Sequence, residues 1–179
     1  FYHTRRSVIK DCLPADDFRF PVIYSPNTPD GFARVAGIEG PSLEYHLFRA
    51  GTGLEWTEYE IERAAERVYT LERALQVRHW GRNRAMDESV LPSFEYPENW
   101  VNPMLGERYA LDREQFRPVM DEYYGYLGWD LETGWPTAER LAELGMPELY
   151  QPMVAGAQRA KERLPAPTAM GEPVPLIHG

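Results

Sequence analysis

Three aspartates and the chain's single thiol fall close together around Pro14: Asp11, Cys12, Asp16 and Asp17. Thiolates are soft metal donors, whereas carboxylates are hard acceptors that take paired N–H groups side by side. Asp11 reads either as a ligand-facing acceptor or as a helix-end aspartate bonded to its own backbone. Asp16 reads either as a donor or as an exposed loop carboxylate beside Asp17. With one cysteine in the sequence, a disulfide framework is excluded, as is any zinc or iron–sulfur site built from this chain alone. His3, His46, His79 and His178 show no metal-ligand spacing. His79, flanked by Arg78 and Arg82, reads either as lining an anionic group or as a structural loop histidine. The sequence shows no glycine-rich phosphate loop, nucleophile elbow or Cys–His pair.

The elements that position these residues are helices. Thr57 to Arg78 spans about six turns without glycine or proline. Ile61, Ala64, Ala65, Val68, Leu71 and Leu75 recur at three- and four-residue steps, which predicts one buried stripe. Thr57 and Glu60 form a capping-box pattern, and Trp56 is placed to staple onto Ile61. Glu62, Arg63, Glu66, Arg67, Glu72 and Arg73 fill the opposite face, expected to be a solvated one.

A short helix is expected before Asp11, turning at Leu13-Pro14. Residues 21–42 carry Pro21, Pro26, Pro29 and Pro41 and read as a loop, with one short strand at Val22–Tyr24. Ser42–Phe48 predicts a brief helix, punctuated by Gly51-Thr52-Gly53. His79–Gly106 has no period and reads as a loop pinned by Trp80, Phe94, Tyr96 and Trp100. Asp112 with Gln115 predicts a second capped helix whose buried stripe is Phe116, Val119, Met120, Tyr123, Tyr124 and Leu127, ending at Gly128. Tyr123-Tyr124 reads as core rather than as a substrate stack. A tight connection follows, then a helix from the Thr137 cap to Leu144 with Gly145 behind it, then another from about Met153 to Arg163. The expected fold is mainly α: three to four amphipathic helices packed around Thr57–Arg78, with long ordered loops. Residues 1–164 form the helical domain, and 165–179 form a proline-rich extended tail.

The 179 residues are enough for one domain with a sizeable core, and 43% of them are hydrophobic. A net charge of −9, with basic residues dispersed among acidic ones, argues against nucleic-acid binding. No apolar run approaches the roughly 18 residues of a membrane span. Phe1 is not an ordinary translation start and no signal segment follows it, so a cytoplasmic portion of something longer, or a processed chain, is expected.

Three stretches together resemble one family. The segment 123–146, YYGYLGWDLETGWPTAERLAELGM, is similar to the C-terminal signature of the tungsten-containing aldehyde:ferredoxin oxidoreductases. Residues 50–78 resemble that family's Thr-Gly, acidic helix and Leu-Glu-Arg run, and 82–92, RNRAMDESVLP, resemble the basic-then-acidic loop ending in Leu-Pro. The resemblance spans about residues 8 to 150.

The resemblance implies a C-terminal helical portion or small subunit of a tungsten (or molybdenum) bispyranopterin enzyme, inactive alone. Such an enzyme oxidises aldehydes to carboxylic acids and passes electrons through a 4Fe-4S cluster to ferredoxin. The implied partners are the upstream part or large subunit, and ferredoxin or an iron–sulfur electron-transfer subunit. The family's Asp-x-x-Gly-Leu-Cys/Asp motif corresponds here to Asp11-Cys12-Leu13-Pro14-Ala15-Asp16, with Pro14 and Ala15 replacing Gly and Leu. Asp11 takes the pterin-facing position and Asp16 the cluster-ligand position. Cys12 lies four positions before that ligand and does not substitute for it. The candidate cofactor-binding residues are therefore Asp11, Cys12 and Asp16, with Asp16 the candidate metal-site residue. Two other readings stand beside this one: a non-catalytic helical interaction subunit, or part of a family member that reduces aromatic acyl thioesters.

Overall fold

The computed structural model describes residues 2–13, 43–89 and 113–163. These residues form seven α-helices and one short 3-10 turn, with no strand among them. The helices are α1 (Tyr2–Cys12), α2 (Leu43–Thr52), α3 (Glu58–Trp80), α4 (Arg84–Ser89), α5 (Arg113–Leu127), α6 (Ala138–Glu143) and α7 (Tyr150–Arg163), with the 3-10 turn at Pro147–Leu149. The fold is mainly α, as expected, with more helices than the three or four predicted.

The centre is α3. Thr57 accepts from the Glu60 backbone N–H at 3.2 Å, and the Glu60 carboxylate takes the Thr57 backbone N–H at 2.7 Å, which closes the predicted capping box. At the other end Gly81 adopts φ +64°, so its N–H reaches the Val77 carbonyl and the next N–H reaches that of Gln76. A side chain at that left-handed φ is strained, and glycine avoids the cost.

Three apolar clusters line up along α3. Ile61 and Ala65 pack with Val8 and Ile9 of α1. Tyr69 packs on Tyr124, Leu127 and Trp129. Ala74 and Val77 join Leu141, Leu144, Met146, Met153 and Ala157 from α6, α7 and the segment between them. The closest approach is to α7, where Gly156 lies so near that an added Cβ would meet the Arg78 carbonyl oxygen at 2.5 Å.

The stripe read from the sequence is displaced. Ile61 and Ala65 are buried as predicted, but Val68, Leu71 and Leu75 are exposed, and Thr70, Arg73, Ala74 and Val77 take their place. The solvated face is corrected too. Glu62 accepts from both Arg5 and Arg6 of α1, and Glu66 accepts from Arg5, Arg63 and Arg140. Trp56 stacks on Phe48 of α2, with ring centroids 5.2 Å apart.

Further corrections follow the same logic. Helix α2 continues past Phe48 to Thr52 and is closed by Gly53 at φ +71°. Arg84–Ser89, read as loop, is helical, and Trp80 is 62% exposed rather than pinned against the body. On α5, Tyr124 and Leu127 are buried but Val119 is 57% exposed. The Val22–Tyr24 strand, the Asp112 cap and the tail 165–179 lie outside the described residues.

The connection from Gly128 to Thr137 forms as predicted. Trp129 N–H returns to the Tyr124 carbonyl at 2.9 Å, and Trp129 bridges to Pro136. The Asp130 carboxylate accepts the Thr133 N–H at 2.7 Å and its hydroxyl at 2.6 Å. Thr137 then caps α6 by accepting the Arg140 N–H.

Candidate functional site

A single carboxylate gathers the middle of the molecule. Arg73 projects from the buried face of α3 and donates through both terminal nitrogens to Asp87 of α4, at 3.0 and 2.5 Å. Arg82 adds its Nε at 2.7 Å, and the Tyr124 hydroxyl of α5 adds a fourth hydrogen bond at 2.6 Å. The remaining Arg73 Nε donates to the Gly134 carbonyl at 2.9 Å, and its guanidinium lies over the Trp129 ring, 5.1 Å from the centroid. Paired guanidinium–carboxylate contacts are among the strongest polar interactions available to side chains. Burial alone pushes the Asp87 carboxyl up, but the bonds from Arg73, Tyr124 and Arg82 outweigh it and hold the group below its ordinary value of 3.8.

The surrounding backbone is shaped to allow this. Gly134 sits at φ +68°, and a Cβ there would meet Arg73 Nη2 at 2.8 Å and the Tyr124 ring at 2.9 Å. Arg84, at the start of α4, donates to Glu88, to Asp121 and to the Leu131 and Arg117 carbonyls, which ties α4 to α5 and to the turn. The Trp135 indole N–H donates to the Arg82 carbonyl at 2.8 Å.

Beside the knot lies a pocket of about 330 Å³. Helix α3 supplies Tyr69, Glu72, Arg73 and Gln76 to its wall, and the far side comes from Met120, Tyr123, Tyr124 and Trp129. Tyr69 and Tyr123 share a hydroxyl–hydroxyl bond of 2.7 Å, and Tyr69 stacks on Trp129 with centroids 5.6 Å apart. Burial, then the bond to Tyr123, holds the Tyr69 hydroxyl well above the ordinary phenol range. Burial and the bond to Asp87 do the same for Tyr124. Both are protonated donors at neutral pH.

The sequence-predicted residues lie elsewhere. Asp11 and Cys12 occupy the last turn of α1, and both are exposed. Asp16 lies outside the described residues. Helix α1 is fixed to α3 through Arg5 and through Arg6, whose guanidinium donates to Glu58 at 2.6 Å and to Glu62 at 2.9 Å. Among the described residues no three His, Cys, Asp or Glu side chains converge as a metal site. His79 stands on the last turn of α3, not in a loop, and lines an open depression with Trp80, Ala160 and Arg163, whereas Arg82 faces the central pocket. Tyr124 is core, as read, yet it also forms pocket wall.

Asp87 and Tyr69 carry no role in the sequence reading, and Arg73, read onto the solvated face, is instead buried. The signal was present: the three stretches 50–78, 82–92 and 123–146 each contribute to this one knot, with Arg73 from the first, Asp87 from the second and Tyr124 from the third. What spacing alone cannot supply is their convergence.

Residues 4–146 match the sequence model of the family described as aldehyde ferredoxin oxidoreductase, domains 2 & 3. The chain belongs to the aldehyde ferredoxin oxidoreductase family.

Proposed function

We propose that this chain is the C-terminal helical portion, or a small subunit, of a tungsten (or molybdenum) bispyranopterin enzyme that oxidises aldehydes to carboxylic acids. The observation that carries this reading is the family match over residues 4–146, which takes in the α1 end bearing Asp11. In the overall reaction the aldehyde carbon gains an oxygen atom from water, two protons are released, and two electrons leave through a 4Fe-4S cluster to ferredoxin. When bound, the metal–pterin centre supplies the two-electron redox chemistry.

The donor set of this chain fits one of the two groups. An exposed carboxylate at the end of a firmly docked helix suits the paired N–H edge of a pterin, which Asp11 would accept. A cluster needs several thiolates, and the lone Cys12 cannot provide them, so its ligands come from another part of the enzyme. Asp16, a hard donor at the motif's ligand position, would be an exception among such sites. The role of this chain is to close one side of the pterin site, with Arg5 and Arg6 holding α1 in register against Glu62. The upstream part supplies acid–base groups.

Asp11→Ala tests this directly in the native assembly. Loss of the acceptor leaves pterin N–H groups unpaired, so cofactor retention should fall by roughly tenfold or more while helicity is unchanged. Full pterin occupancy and activity in Asp11→Ala would refute the assigned contact.

A further inference from the structure

The pocket beside Asp87 keeps donors with unused capacity, at Arg82 and at the Tyr69–Tyr123 pair. Asp87 already accepts four hydrogen bonds, and Glu72 accepts from Gln76 at 3.1 Å. The donors are less fully used. Arg82 donates only through Nε to Asp87, which leaves its two terminal nitrogens without acceptors among the described residues. The Tyr69–Tyr123 pair shares one hydroxyl proton between two oxygens, so the second proton has no acceptor there either. A wall of this kind calls for a ligand that accepts.

The charge and shape of the wall narrow the class. Arg73 and Arg82 face Asp87 and Glu72, so the wall is close to neutral and a dianion such as a phosphate monoester meets two carboxylates. A single planar carboxylate matches the free fork of Arg82, and the Tyr69–Tyr123 pair lines the same pocket. Met120 and the rims of the Tyr123 and Trp129 rings offer an apolar flank for a flat body. We propose that this pocket binds a small monocarboxylate with an aromatic or similarly flat body, held by Arg82 and the Tyr69–Tyr123 hydroxyl pair. The proposal concerns this chain's own wall and does not depend on the tungsten–pterin reading.

Photolabelling of the native assembly with para-azidobenzoate, followed by peptide mapping, tests it. Label is expected within 69–82 or 120–129, displaced by excess benzoate and roughly tenfold less well by benzamide, which keeps the shape but lacks the charge. Arg82→Gln should weaken labelling by about tenfold, and Arg82→Lys should recover part of it. Because Arg82 also supports Asp87, Tyr123→Phe serves as an independent variant, with labelling expected to fall several-fold. Label absent from both stretches, equal displacement by benzamide, or undiminished labelling in a folded Arg82→Gln or Tyr123→Phe protein would overturn the proposal.

Discussion

Asp87 is where removing a few atoms should cost most. Three side chains from separate segments converge on its carboxylate, and the Arg73 side chain opposite is only 5% exposed. Asp87→Asn keeps the shape but deletes the charge, leaving a buried guanidinium uncompensated. A loss of about 3 kcal/mol is expected in urea unfolding, at the lower end of values for broken buried pairs because Arg82 is partly solvated. The same group sets an acid limit. Its folded value lies below 3.8, so its stabilising contribution is complete above that pH and is lost as pH falls through the folded value. The unfolding free energy of the wild type should therefore drop below about pH 4 more steeply than that of Asp87→Asn, and a pH series of denaturant midpoints reads the difference. At the ligand-motif end, Asp16→Cys restores the thiolate type that clusters prefer. If Asp16 neighbours a cluster, the potential or spectrum of the assembly shifts in that variant, and unchanged spectra in both Asp16→Cys and Asp16→Ala mark an ordinary surface aspartate.

Helix α3 shows which parts of an element sequence patterning can determine. Its start was legible because Thr57 and Glu60 satisfy backbone donors locally, and local chemistry depends on nothing far away. The same holds for Thr137 and α6. The face it buries was only half legible. Apolar spacing identifies a stripe, but Thr70 and Arg73 displace Leu71 and Leu75 from the interior because Arg73 finds its partners on α4 and on the Gly134 turn. Helix α4 was invisible, since RAMDES has no apolar period and is held instead by Arg84 bonds to two distant segments, α5 and the turn at Leu131. Glycines report element packing more directly. Gly156→Ala on α7 would bring a Cβ to 2.5 Å from a backbone oxygen of α3, which no rotamer change relieves. The helices must separate, and a loss of about 1–3 kcal/mol is expected in thermal or urea unfolding, although alanine is otherwise the better helix former.

At the level of the whole molecule, the chain belongs to a family named for a redox reaction and carries a single cysteine, Cys12. Asp11 and Cys12 were named from a motif alone, and the structure places both exposed on the last turn of α1. The knot of Arg73, Asp87 and Tyr124 was not legible, because its members come from three stretches whose convergence only the fold supplies. In the proposed reading, α1 closes one side of the pterin site, and the metal, cluster and acid–base groups are supplied by a companion part. The most direct test is elemental analysis of the assembly purified natively through this chain, by mass spectrometry for metals. Tungsten or molybdenum in stoichiometric amount, together with iron and a cysteine-rich companion polypeptide, is the predicted result. A homogeneous native preparation containing neither tungsten nor molybdenum would contradict it.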